Sequence, residues 1–173
     1  YKLPGVEANT GALGHGLSIS VGMALGLRLH GWSSRVFTVM GDGELAEGSN
    51  WEAAAAASHH KLDNLTVFVD DNGLQIAGET RTVMNFEPIA DRFRSFGWQT
   101  IDIDGNDMAA IVDVIDRLPL QAGKPSAIVA HTVKGKGVSF LEGTVGCHYW
   151  KPAKADLDRA IAEIDAAIEE ARA

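Results

Sequence analysis

Two short runs of large and β-branched apolar residues, Arg35 to Met40 (RVFTVM) and Leu65 to Asp70 (LTVFVD), are bounded by glycine, asparagine and aspartate. Runs of that length and setting predict buried strands. Between them, Ser49 to His60 is rich in alanine and predicts a helix. Upstream, Ile19, Val21, Met23, Leu25, Leu27 and Leu29 are interleaved with small residues, which predicts a buried helix from Leu17 whose Gly22 and Gly26 permit close packing. Downstream, Phe86 to Phe96 has helical spacing and closes with Gly97, and Trp98 to Ile103 predicts a third strand. A helix from Asp107 to Leu118, capped by Asn106 or Asp107, leads through Lys124 and Pro125 to a fourth strand at Ser126 to His131. The chain closes on an amphipathic helix, Asp156 to Ala171, with Leu157, Ile161, Ile164 and Ile168 on one stripe. Strands alternating with helices predict the α/β class, a parallel sheet with helices on both faces.

The first strand-helix-strand unit carries the chemistry. Such units are normally right-handed, and the carboxyl ends of both strands lie on one edge of the sheet, where open α/β folds bind ligands. Asp42 and Asn72 follow those two strands and are therefore expected to converge. Gly41 and Gly43 on either side of Asp42 let the backbone turn sharply and approach a ligand closely. An aspartate and an asparagine amide oxygen are hard ligands, suited to magnesium or calcium rather than zinc, and the carbonyl of Leu74 is a candidate third oxygen. Magnesium keeps positions for water or phosphate, so a diphosphate would complete the octahedron. Each Gly-containing turn alone reads as structural; their placement after adjacent strands is what points to a site.

These residues resemble a known family. Gly41-Asp42-Gly43, an acidic and alanine-rich helix, and an apolar strand ending in Asp71-Asn72 are similar to the thiamine diphosphate motif. The stretches GELAEGSNWEA, KLDN and NGLQIAG resemble the diphosphate-binding domain of transketolases, and more narrowly the N-terminal subunit of split transketolases. The likeness extends upstream through LPGVEANTGALGHGLSISVGMALG and downstream through HTVKGKGVSFLEG, so it covers nearly all of Tyr1 to Trp150. It implies a thiamine diphosphate-binding fold and a single diphosphate-binding domain over residues 1–173. It also implies thiamine diphosphate as cofactor together with Mg2+, for which Ca2+ or Mn2+ can substitute. By resemblance, Asp42, Asn72 and the Leu74 carbonyl hold the metal, while Gly41 and Gly43 lie at the diphosphate and Gly43 offers a backbone donor. Gly11 gives a backbone contact and Leu13 packs on the cofactor rings. Glu47 joins a proton network at the subunit contact near the pyrimidine, and His148 lies toward the diphosphate or substrate.

The chain departs from the family pattern at Ala12 and His15, where proline and glutamine are usual, and at Tyr149 and Trp150, where glycine normally follows the histidine. His15 also reads as a simple helix cap. Glu44, Glu47 and Glu52 suit the positive end of the following helix and His59 and His60 its negative end. Lys134 and Lys136 either attract phosphate or are solvated. The activity implied is transfer of a two-carbon ketol unit from a ketose phosphate to an aldose phosphate. The glutamate that activates the cofactor in this class belongs to a pyrimidine-binding domain, and family members carry histidines before LPGVE. This polypeptide is therefore expected to be inactive alone and to need a pyrimidine-binding C-terminal subunit or domain in a hetero- or homo-oligomer. Alternatives are another thiamine diphosphate enzyme, similar to deoxyxylulose phosphate synthase or the alpha chain of a 2-oxoacid dehydrogenase, or a non-catalytic cofactor-binding scaffold.

Composition narrows the setting. With 173 residues, 46% of them hydrophobic, the chain has the size and apolar content for one ordinary core. A formal net charge of -8 argues against nucleic acid or an anionic membrane as partner, so any phosphate must be held by local devices. The longest apolar stretch, Ser18 to Leu27, is too short to span a bilayer, and the lone Cys147 excludes an internal disulfide. A cytoplasmic protein is expected, and Tyr1 in the first position suggests a fragment or a processed chain.

Overall fold

The computed structural model describes residues 3–172. In chain order the elements are α1 (Gly16–Leu29), β1 (Val36–Gly41), α2 (Gly48–His59), β2 (Leu65–Asp71), β3 (Leu74–Gln75), β4 (Gly78–Glu79), α3 (Thr80–Val83), α4 (Ile89–Ser95), β5 (Gln99–Asp104), α5 (Met108–Asp116), β6 (Ser126–His131) and α6 (Lys154–Arg172). Short 3-10 turns cover Asp42–Ala46 and Val145–Tyr149. β1, β2, β6 and β5 lie side by side in that order, all parallel, while β3 and β4 form a separate two-residue antiparallel hairpin.

Paired residues of parallel strands share a face, so the register sorts the side chains. Val36, Thr38 and Met40 share one face with Leu65, Val67 and Val69 and with Ala127 and Val129. All eight are buried, and the seven apolar ones form one core with Leu17, Val21 and Ala24 of α1, Ala53, Ala54 and Ala57 of α2, and Ile89 and Phe93 of α4. The alanines of α2 let that helix lie close to α1. Phe93 fills the centre of the aromatic packing, with ring centroids 5.4 Å from Trp51 and 5.3 Å from Trp98. The Trp98 indole donates to the Ala54 carbonyl at 2.9 Å, which satisfies its one donor in the interior. On the opposite face Ile128 of β6 and Val114 of α5 are fully buried, whereas over the edge strand β1 Phe37 and Val39 are 43% and 77% exposed.

The expected strands stand within a residue of their predicted bounds. Helix ends differ for local reasons. α4 starts at Ile89, not Phe86, because Pro88 occupies its N-cap position and the residue before a proline disfavours helical backbone. Asp107 caps α5, its carboxylate accepting from Ala109 N at 2.9 Å. α6 begins at Lys154, two residues before the predicted start. Among the described residues no helix is long and apolar enough to cross a membrane.

Candidate functional site

β1 ends at Gly41, whose register partner on β2 is Asp70, so the two strand tips finish level on one edge of the sheet. Asp42 is the first residue beyond that tip and is 1% exposed. A buried carboxylate must find donors, and the sequence supplies three. Oδ1 accepts from Gly43 N at 2.7 Å; Oδ2 accepts from Gly73 N at 3.1 Å and from the Thr80 hydroxyl at 2.7 Å. The bond to Gly73 brings the residue after Asn72 onto Asp42, across 31 positions of sequence. Asn72 is itself fixed: its Oδ1 accepts from Leu74 N at 3.0 Å and its Nδ2 donates to Asp70 Oδ2 at 3.0 Å. Thr80 N donates to the Gly73 carbonyl at 2.9 Å, closing the loop that contains the β3–β4 hairpin and Leu74.

The edge is acidic. Burial pushes the Asp42 carboxyl above its ordinary value, against the lowering effect of the Thr80, Gly43 and Gly73 bonds, and the nearby Asp70 adds to the rise. Burial raises Asp71 as well, helped by Glu87, while the His131 hydrogen bond opposes it. His131 sits between two carboxylates, Nδ1 2.8 Å from Asp71 Oδ2 and Nε2 3.2 Å from Asp102 Oδ1. Thr132 donates its hydroxyl to Asp70. Among the described residues no lysine or arginine pairs with Asp42 or Asp70. No three His, Cys, Asp or Glu side chains among them converge as a metal site, so any cation here depends on amide and carbonyl oxygens beside one carboxylate.

The other expected site residues are distributed around this edge. The amide of Gly43 is occupied by Asp42 itself, and a Cβ on Gly43 would lie 3.0 Å from Gln75 Cγ, which leaves little room for a larger residue. Gly11 and Leu13 are exposed in the loop before α1. That loop is anchored at Gly14, whose N donates to Glu44 Oε1 at 2.9 Å and whose carbonyl accepts from Ser49 Oγ at 2.8 Å. Glu44 therefore ties two loops together, a role beyond favouring the helix end. His15 occupies the N-cap position of α1 but makes no side-chain cap bond; Nδ1 lies 3.2 Å from the Leu13 carbonyl. Glu47 is the exposed N-cap of α2, against Gly14. His148 is exposed in the second 3-10 turn, with its ring against Tyr149, and no hydrogen bond among the described residues links it to Asp42 or Asn72. Lys136 lies 3.5 Å from Glu142, an ion pair at the surface.

The sequence pattern does not mark Thr80, Asp70 or His131 as site residues, and it gives Asp71 only as the end of the strand before Asn72. His131 carried a signal, as a polar residue closing an otherwise apolar strand. Thr80 carried none beyond lying two residues after Gly78 in a polar loop.

The family model of the transketolase, thiamine diphosphate binding domain, matches residues 1–162. The chain belongs to the transketolase family. This transketolase-family domain is 42% identical over 168 residues to an apulose-4-phosphate transketolase subunit of Phocaeicola vulgatus, covering 97% of this chain and 60% of that protein. It is 41% identical over 162 residues to a 6-deoxy-6-sulfo-D-fructose transketolase subunit of Clostridium sp., covering 90% and 59%. The transketolase of Campylobacter jejuni superposes with a TM-score of 0.86 at 30% identity, over 93% of this chain and 26% of that one. The domain thus spans about 60% of the length of the curated relatives it matches first. The expected α/β sheet and the thiamine diphosphate-binding character are both met in this transketolase-family component.

Proposed function

We propose that this chain is the diphosphate-binding component of a thiamine diphosphate-dependent transketolase, moving a two-carbon ketol unit from a ketose phosphate to an aldose phosphate. The observation that carries the reading is the buried Asp42, held at the tip of β1 by donors from the loop that contains Asn72 and Leu74. Acidic strand tips with no lysine or arginine partner among the described residues suit a divalent cation, and hard oxygens suit Mg2+, with Ca2+ or Mn2+ as substitutes. Asp42, the Asn72 amide oxygen and the Leu74 carbonyl would hold the ion. Gly41 and Gly43 would let the diphosphate approach the backbone, and the exposed Gly11 and Leu13 would meet the cofactor rings.

Thiamine diphosphate, when bound, supplies the nucleophilic carbon that takes up and hands on the ketol unit. The chain's own part is to bind and orient. Glu47, exposed at the start of α2, presents a carboxylate to a neighbouring chain for proton transfer, and His148 offers a ring on the substrate side. A pyrimidine-binding C-terminal subunit or domain completes the site, which the names of the relatives support, each being one subunit of a transketolase. The sugar phosphate enters between the two. The setting of such a component is cytoplasmic.

Calorimetric titration of the assembled enzyme with Mg2+ and thiamine diphosphate tests this. Asp42→Ala is expected to abolish measurable binding, and equal affinity of variant and parent would overturn the metal assignment. A ketol-transfer assay with a panel of sugar phosphates identifies the donor.

A further inference from the structure

An ionised carboxylate has about two acceptor sites on each oxygen. Oδ2 of Asp42 has both filled, by Gly73 N and by the Thr80 hydroxyl, whereas Oδ1 accepts only from Gly43 N. One acceptor site of the buried pair therefore stays open, on Oδ1. Thr80 is buried, at 4% exposure, and its backbone amide is also committed, to the Gly73 carbonyl. A single residue thus both occupies Asp42 and closes the loop of residues 73–80, which contains Leu74 and directly follows Asn72.

We infer that Thr80 is a positioning residue for the divalent cation. By filling Oδ2 it leaves Oδ1 as the one carboxylate oxygen turned to the metal, and by closing the 73–80 loop it ties Asn72 and Leu74 to the same carboxylate. Thr80 itself touches neither metal nor cofactor. A serine in its place keeps the hydroxyl; a valine keeps the shape and removes the donor. In the valine variant Asp42 is free to turn, and its second oxygen is left short of a partner in the interior.

The inference rests on the metal assignment of Asp42, and the test separates the two. Mn2+ affinity in the presence of thiamine diphosphate, measured on the assembled enzyme from the electron paramagnetic resonance of free Mn2+, is compared for the parent, Thr80→Val, Thr80→Ser and Asp42→Ala. Thr80→Val is expected to weaken Mn2+ by about ten- to a hundredfold, the loss of one hydrogen bond to a charged group, and Thr80→Ser to stay within about threefold of the parent. Parent-like affinity in Thr80→Val with affinity lost in Asp42→Ala would overturn the role of Thr80 and keep the metal site. Parent-like affinity in Asp42→Ala would remove both. Equal weakening in the serine and valine variants would also overturn it, since the hydroxyl would not be the cause. Should Thr80→Val not fold, a crystal structure of the parent with Mn2+ and thiamine diphosphate decides. Mn2+ on Oδ1 alone, with the Thr80 hydroxyl still on Oδ2, supports the role, and Mn2+ on Oδ2 overturns it.

Discussion

At Gly14 the backbone has φ +83, its amide is given to Glu44 and its carbonyl to Ser49. A Cβ there would lie 2.6 Å from Glu47 Cβ and 2.6 Å from Ser49 Oγ. Conformation and space both select glycine, and the position lies where the loop before α1 meets the start of α2. Gly14→Ala is expected to destabilise the fold by about 1–3 kcal/mol, from left-handed strain and overpacking together. Chemical denaturation would show a lower midpoint with an unchanged slope. Residues of this kind divide by how local their cause is. Asp42 was legible because two glycines and a preceding strand are neighbours in sequence. Thr80 was not, since its partner is 38 positions away and nothing in its own surroundings marks it.

The strands were read to within a residue because each is a compact apolar run whose ends are set by polar residues or glycine. α4 is a different case. Its apolar spacing continues back to Phe86, and only the backbone restriction imposed by Pro88 shortens it. The β3–β4 hairpin escaped the pattern because strands of two residues have no period to detect; it stands because Asp42, Gly73 and Thr80 hold it. What anchors α4 is Phe93, fully buried between Trp51 and Trp98. Phe93→Ala is expected to cost about 3–5 kcal/mol in unfolding free energy, the usual range for emptying a large aromatic site. The loss is one of packing alone, so the folded fraction should bind Mg2+ and thiamine diphosphate with parent affinity. Titration at a denaturant concentration well below the midpoint checks that separation.

Strand order is only partly written in the pattern. Ser126 to Ala130 is buried on both faces, as a central strand requires, while Gln99 to Asp104 places aspartates on its outer positions, as an edge tolerates. Sheet order then brings Asp42, Asp70, Asp71, Asp102 and Asp104 to one edge of a chain whose net charge is already -8. With a cation bound at Asp42 as proposed, the consequence is a stability that depends on pH and on cation together. Burial raises the Asp42 carboxyl above the ordinary 3.8, so the folded protein without ligand holds that proton more tightly than the unfolded chain. Its stabilising contribution is complete below 3.8 and is lost as pH rises through the raised value; Asp71 acts in the same sense. A cation needs the deprotonated form, so its affinity runs the opposite way and falls as pH drops through the raised value. At neutral pH, ligand at about a hundredfold excess over Kd adds about 2.7 kcal/mol, a rise of about 5–10 °C in Tm for a domain of this size. Thermal melts with and without Mg2+ and thiamine diphosphate, taken on the assembled enzyme at falling pH, are expected to show that rise shrinking before 3.8 is reached. Asp42→Ala should show no rise at any pH. A rise that stays constant down to 3.8 in the parent would mean that the buried carboxylate gives up no proton when the ion binds.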